Sequence, residues 1–154
     1  MKMAPPQPTP TRSFALWQAA TLALSVLLLA GCIRFVGDCV LMRGTICTNG
    51  QLANAKLAGI DLVWADLEGS NLSGADLSGA DLEGIVLLNA NLAGANLSNA
   101  NMFSADLRNA DLTNAILTGT NLRAADLQNA LTTGANLQDA NLEQAIMPDG
   151  KMNP

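Results

Sequence analysis

The sequence has no histidine and no tyrosine, and its aromatic residues amount to 3% of 154. So few aromatics exclude a conventional globular core built on large rings. The missing histidine removes the commonest general base and the commonest metal ligand. Basic residues are also scarce: 8 Lys and Arg stand against 13 Asp and Glu, a net charge of −5. That leaves no basic footprint for nucleic-acid phosphates. Cysteine is limited to three residues, all before residue 48. Two cysteines without a histidine or further thiols make a poor zinc set, so no metal is expected. No phosphate loop is present either, because the glycines recur at multiples of five. We therefore expect no catalytic residue, no cofactor and no enzyme.

What is present divides into four stretches: 1–31, 32–50, 51–147 and 148–154. The first is unlike the rest. Met1–Ser13 is polar and proline-rich, with Lys2 and Arg12. Phe14–Ala30 is almost wholly apolar, reading FALWQAATLALSVLLLA. A basic start, an apolar run and small residues at its end read as a signal peptide. The other reading is an uncleaved anchor, for which a run of 17 residues sits at the lower limit of a bilayer span. Leu29-Ala30-Gly31-Cys32 resembles the lipobox of bacterial lipoproteins. The resemblance implies that Cys32 is lipidated and becomes the first residue of the mature chain. It implies a membrane as partner and the cell envelope as address. Ile33, rather than Asp, in second place favours the outer membrane of a Gram-negative host.

Residues 32–50 form a linker and N-terminal cap. Cys39 and Cys47 lie eight apart, and outside the cytoplasm a disulfide between them is permitted. The alternative is that Cys47 is a small buried hydrophobe, since it falls on the apolar position of the repeat that follows.

From residue 52 to residue 147 one position recurs every five residues. Seventeen of its twenty occupants are Leu, the exceptions being Met102, Thr132 and Met147. Two residues before it, fifteen of twenty are Ala; one before, fourteen are Asp or Asn; two after, fourteen are Gly or Asn. A period of five is neither the 3.6 of a helix nor the 2 of a strand. Ala and Leu must point in and the Asp or Asn between them out, a strand-like alternation. Gly and Asn tolerate positive φ and mark a corner. Short extended segments joined by regular corners make a coil, and stacked coils pair as parallel strands.

ADLSG, ADLEG, ANLAG, ANLSN and ADLQN are similar to the pentapeptide repeat family, whose consensus is A(D/N)LXX. The resemblance implies an all-β fold, a right-handed quadrilateral parallel β-helix. Four faces per coil come from the family, and give about five coils and a length of about 24 Å at the usual strand spacing. Residues twenty apart then stack. One outward column reads Val63, Glu83, Phe103, Arg123, Glu143, with Trp64 at its top. Trp64, Val86, Leu88 and Phe103 are expected to form a modest apolar contact patch, against the plain reading that scattered exposed hydrophobes are normal. Arg123 and Glu143 are placed to pair. Ile116, Leu131 and Ile146 also break the polar pattern, and Leu131-Thr132 reads as a local distortion. Asp61 with Asp81, and Asp106 with Asp126, stack as carboxylate pairs, too few oxygens for a firm calcium site. The Asp and Asn residues read as solvating the strand face. Pro148, Lys151 and Pro154 are expected to block pairing beyond the last coil.

Residues 51–147 carry eleven acidic and three basic residues. Some relatives are gyrase inhibitors with an acidic, DNA-like surface, and that is the alternative function. The leader opposes it. The leading expectation is a membrane-anchored, non-catalytic structural or protein-binding element of the cell envelope, with an unidentified envelope protein as partner and no nucleic acid.

Overall fold

The computed structural model describes residues 34–36 and 39–154. Seventeen parallel bridges each join a residue to the one twenty positions on, from Ile46↔Asp66 to Asp126↔Ile146. Twenty residues are four pentads, so every coil has four sides. The result is a parallel β-solenoid whose ladder begins at Ile46.

One pentad shows the pattern. The Leu97 N–H donates to the Ile116 carbonyl of the next coil at 2.8 Å, and the Asn99 N–H to Thr118 at 2.9 Å. The Ala100 N–H closes the corner on the Leu97 carbonyl at 3.0 Å, and the Asn101 N–H donates back to Ala80 at 2.9 Å. That leaves the Ser98 N–H, which donates to Asn96 Oδ1 at 3.1 Å. All five donors of the pentad are thus satisfied, as a buried backbone demands. The same side-chain cap recurs at Asp66–Glu68, Asn91–Ala93, Asp111–Thr113 and Asp126–Gln128, at 2.9–3.0 Å. The Asp or Asn therefore does more than solvate a face. It supplies the acceptor that the ladder itself cannot reach.

Inside, Leu and Ala stack coil on coil, and Met102 takes its place among the leucines with no exposure. Ser70 and Thr120 occupy Ala positions and are also buried. Each hydroxyl donates at 2.8 Å to the carbonyl 23 residues back, Cys47 and Leu97 respectively, so neither is left unsatisfied.

The N-terminal end is closed by an antiparallel hairpin of β1 (Arg34–Val36) and β2 (Cys39–Leu41). Leu41 turns into the core with no exposure. At the other end the chain doubles back, and Met152 bridges Ile146 antiparallel. The Asn153 N–H donates to Ala145 at 2.7 Å, and the Gln144 N–H to Asn153 at 3.0 Å. So the tail does not merely stop pairing at Pro148: it pairs back over one side of the last coil. Pro148 suits this place, because it follows Ile146, which has no side-chain oxygen to cap an N–H that proline lacks. Leu137, Leu142 and Met147 of that coil are only partly buried.

Two sequence expectations fail here. Leu131-Thr132 is not a distortion: Leu131 bridges Asp111, and the Leu112 N–H donates to Leu131 at 2.8 Å. The ladder reads only backbone, so an exposed Leu fits it. Val63 is not an exposed member of its column but 1% exposed, so the apolar surface at the top of the column is that of Trp64 and not of Val63.

Candidate functional site

Leu29, Ala30, Gly31 and Cys32 lie outside the described residues. The features that can be described are the N-terminal seal and the side that carries Trp64.

Cys39 and Cys47 are brought together as a disulfide, with Cα atoms 5.8 Å apart, inside the usual range for such a bridge. The bridge joins β2 to the first pentad. Gly50 explains how it fits. It occupies an Ala position, yet a Cβ there would lie 2.6 Å from Cys47 Sγ and 2.7 Å from Cys39 Sγ. The sulfurs fill the space an alanine methyl takes elsewhere. A shallow depression of about 460 Å³ opens beside the bridge, lined in part by Val40, Thr45, Ile46 and Gln51. Ile46 is 78% exposed at its rim. The lining holds no acid and no base, so it offers no proton chemistry.

Trp64 stands at a corner with φ at 59° and is 63% exposed. A Cβ on Gly84 would overlap Cε3, Cζ3 and Cδ2 of its ring. The indole therefore lies against the Gly84 backbone of the next coil. Phe103, one coil further, is half-buried, and the Arg123 guanidinium sits 6.0 Å from its ring centroid. Arg123 in turn pairs with Glu143 at 3.5 Å, both about half exposed, a contact worth under about 1 kcal/mol. Val86 and Leu88 are half-buried. Val86 is bracketed in its ladder by Asp66 and Asp106, and Leu88 falls between Glu68 and Arg108 in its column. Charged neighbours thus bracket Val86 and Leu88 above and below along the axis.

Next to Trp64 runs a polar ladder, Asp61, Asp81, Asn101, Asn121 and Asn141, bridged coil to coil. Asn101 Nδ2 donates to Asp81 Oδ1 at 3.0 Å, and Asn121 Nδ2 to Asn101 Oδ1 at 2.8 Å. Arg43 approaches Asp61 at 3.6 Å. On the next side, Arg108 binds Asp106 through two hydrogen bonds of 2.8 and 2.6 Å and reaches Asp126 at 3.9 Å. Those bonds hold the Asp106 carboxyl below the usual carboxylate range and raise the Arg108 pKa. One guanidinium therefore offsets about half the charge of the stacked pair Asp106–Asp126. Among the described residues no three acidic or thiol groups converge as metal ligands would. Sequence reasoning missed the seat of Trp64 on Gly84; the signal was a Gly twenty residues after a Trp.

A family model described as pentapeptide repeats matches the chain in eight copies, over residues 45–84, 85–119 and 105–152. No curated protein matches it. Among solved structures it is similar to HetL, a pentapeptide repeat protein involved in heterocyst differentiation regulation from the cyanobacterium Nostoc sp. strain PCC 7120. The identity is 35% over 73% of this chain and 63% of that one, with a TM-score of 0.35. It is similar to a pentapeptide repeat protein of the Arabidopsis thaliana thylakoid lumen, at 27% identity over 67% of this chain and 68% of that one, with a TM-score of 0.48. It also matches QnrB1, a plasmid-mediated fluoroquinolone resistance protein, at 18% identity over 67% of this chain and 51% of that one, with a TM-score of 0.38. The chain thus spans less than two thirds of HetL and about half of QnrB1.

Proposed function

This chain belongs to the pentapeptide repeat family, and from that premise we propose that it is a lipid-anchored, non-catalytic binding element of the bacterial cell envelope. Cys32 carries the lipid, residues 1–31 are removed, and the right-handed β-helix of the family presents its sides to envelope partners. The observation that carries this reading is the Cys39–Cys47 bridge, seven residues after the lipobox-like Leu29-Ala30-Gly31-Cys32. A structural disulfide belongs to an oxidising compartment, and the motif supplies a route to one. Repeat solenoids bind through their extended sides. The outer membrane is the favoured address in a Gram-negative host.

The test is mass and fractionation of the chain expressed in a bacterium, beside Cys32→Ser. The wild type is expected to lose residues 1–31, gain lipid mass and enter the membrane fraction, while Cys32→Ser does none of these. A full-length, unmodified, soluble wild type sinks the reading. It would turn attention to the acidic, DNA-mimicking alternative and to a gyrase supercoiling assay. That alternative draws on the negative charge of the repeat. Most of those carboxylates, however, accept corner N–H groups or bind Arg43 and Arg108.

A further inference from the structure

We propose that the side carrying Trp64 binds an extended, uncharged β-linked glycan chain. The proposal rests on the envelope reading for its ligand to be at hand, while its chemistry is local to this side.

Three observations combine. The first is Trp64 itself. A bulky residue at positive φ is rare, and this one is 63% exposed. One side of its ring lies on the Gly84 backbone, which leaves the other for a ligand. The negative face of an aromatic ring attracts the polarised C–H bonds on the flat face of a pyranose. The indole is held in place before any ligand arrives, so little ordering cost falls on binding.

The second is the ladder beside it. Asn101 and Asn121 are tied to their neighbours through one Nδ2 bond each, at 3.0 and 2.8 Å. Each amide keeps a second N–H. The Oδ1 atoms of Asp61, Asn101 and Asn121 accept the corner N–H groups of Val63, Phe103 and Arg123 at 3.1–3.4 Å. Asp81 Oδ1 accepts from Asn101, and its Oδ2 stays free for a hydroxyl. This is a row of flat, oriented donors and acceptors that repeats at about 4.8 Å, the strand spacing. A β-1,4-linked chain presents one sugar over nearly the same distance. The indole, seated on Gly84, reaches along the axis toward the coil that carries Phe103, so the aromatic surface runs in the direction of the ladder.

The third is charge. On this side Asp61, Asp81, Glu83 and Glu143 outnumber Arg43, which pairs with Asp61, and Arg123, which pairs with Glu143, so phosphate- or carboxylate-bearing polymers are disfavoured relative to neutral and N-acetylated sugars. A protein partner fits less well. A stable protein interface buries above about 1,000 Å² with an apolar centre, and here Phe103, Val86 and Leu88 are half-buried, with Val86 between Asp66 and Asp106 in its ladder.

The test uses the full chain in detergent micelles, titrated calorimetrically with tetramers of β-1,4-linked glucose and of β-1,4-linked N-acetylglucosamine. At least one tetramer is expected to bind, and the pair tells whether an acetamido group is needed. Trp64→Ala should weaken binding about tenfold or more, the loss of one stacked ring, and Trp64→Phe should restore most of it. Ile116→Ala, at an exposed apolar residue on another side, should change nothing. Circular dichroism of each variant confirms the fold. The proposal is overturned if neither tetramer binds, if folded Trp64→Ala binds like wild type, or if Ile116→Ala weakens binding equally. Glycan binding in micelles is independent of processing at Cys32, so failure here leaves the fractionation result untouched, and the reverse holds.

Discussion

At the residue scale the corner decides most. Every corner from Gly44 to Gln144 is left-handed whether or not its residue prefers it: Gly79 has φ 63°, Asn99 57°, and Ala124 57°. The flanking ladder imposes that geometry, and an L-residue without a helpful side chain is strained there by about 1–2 kcal/mol. Ala124→Gly should therefore raise stability by up to about 1 kcal/mol after the looser unfolded chain is counted. Gly79→Ala meets nothing within 4 Å, so its cost is backbone strain alone, about 1 kcal/mol. Urea midpoints of the two variants should move in opposite directions. A second residue-scale prediction concerns the capping oxygen. Ile116 stands where the pattern wants Asp or Asn, and the Thr118 N–H lacks the side-chain acceptor found in neighbouring pentads. Ile116→Asn should restore it and add about 0.5–1.5 kcal/mol, the net worth of one hydrogen bond. An unchanged or lower thermal midpoint would refute that role for the oxygen.

At the scale of the coil, position in the stack sets the penalty for damage. Leu97 has neighbours above and below and no exposure, so Leu97→Ala should cost about 2–5 kcal/mol. Leu137 lies in the last coil and is partly exposed, so Leu137→Ala should cost clearly less under the same denaturant titration. Equal losses would mean that the end coil is covered. The two ends also differ in legibility. The tail has no repeat signal: its turn back onto Ile146 depends on Asn153 and Met152 finding a free ladder edge. The N-terminal seal was half legible. Two cysteines were visible, but their spacing left a buried Cys47 equally open. Gly50 in an alanine position was the overlooked sign, because only contact with the sulfurs explains the missing methyl. Reducing the Cys39–Cys47 bridge should lower stability by about 2 kcal/mol for so short a loop. Hydrogen exchange should then speed up first in residues 46–58.

Across the whole molecule, what repeats was readable and what happens once was not. Leu at every fifth residue predicted inward stacking, and the Gly or Asn corner predicted positive φ. Both are demands that recur pentad after pentad. Four sides to a coil came from the family resemblance, because spacing alone shows only that a corner recurs. The burial of Val63 and the seat of Trp64 depend on single neighbours twenty residues away, which no local pattern encodes. Charge adds a property of the whole solenoid that can be measured. The Ser78 hydroxyl and N–H bind Asp76, Arg108 binds Asp106 and Lys151 binds Asp149. All three carboxyls are thereby held below the usual carboxylate range. A depressed carboxylate stabilises the fold above its unfolded pKa of about 3.9, and loses that contribution as pH falls through its lower folded value. Lys151 has the opposite sense. Its pKa is raised by Asp149, so its contribution is complete below about pH 10.4 and disappears as pH rises beyond its folded value. The urea midpoint should therefore be flat between about pH 5 and pH 9 and fall on the acid side below about pH 4. Asp106→Asn should make that acid limb shallower. An acid limb of wild-type steepness in Asp106→Asn would show that the Asp106–Arg108 contact adds nothing to the fold.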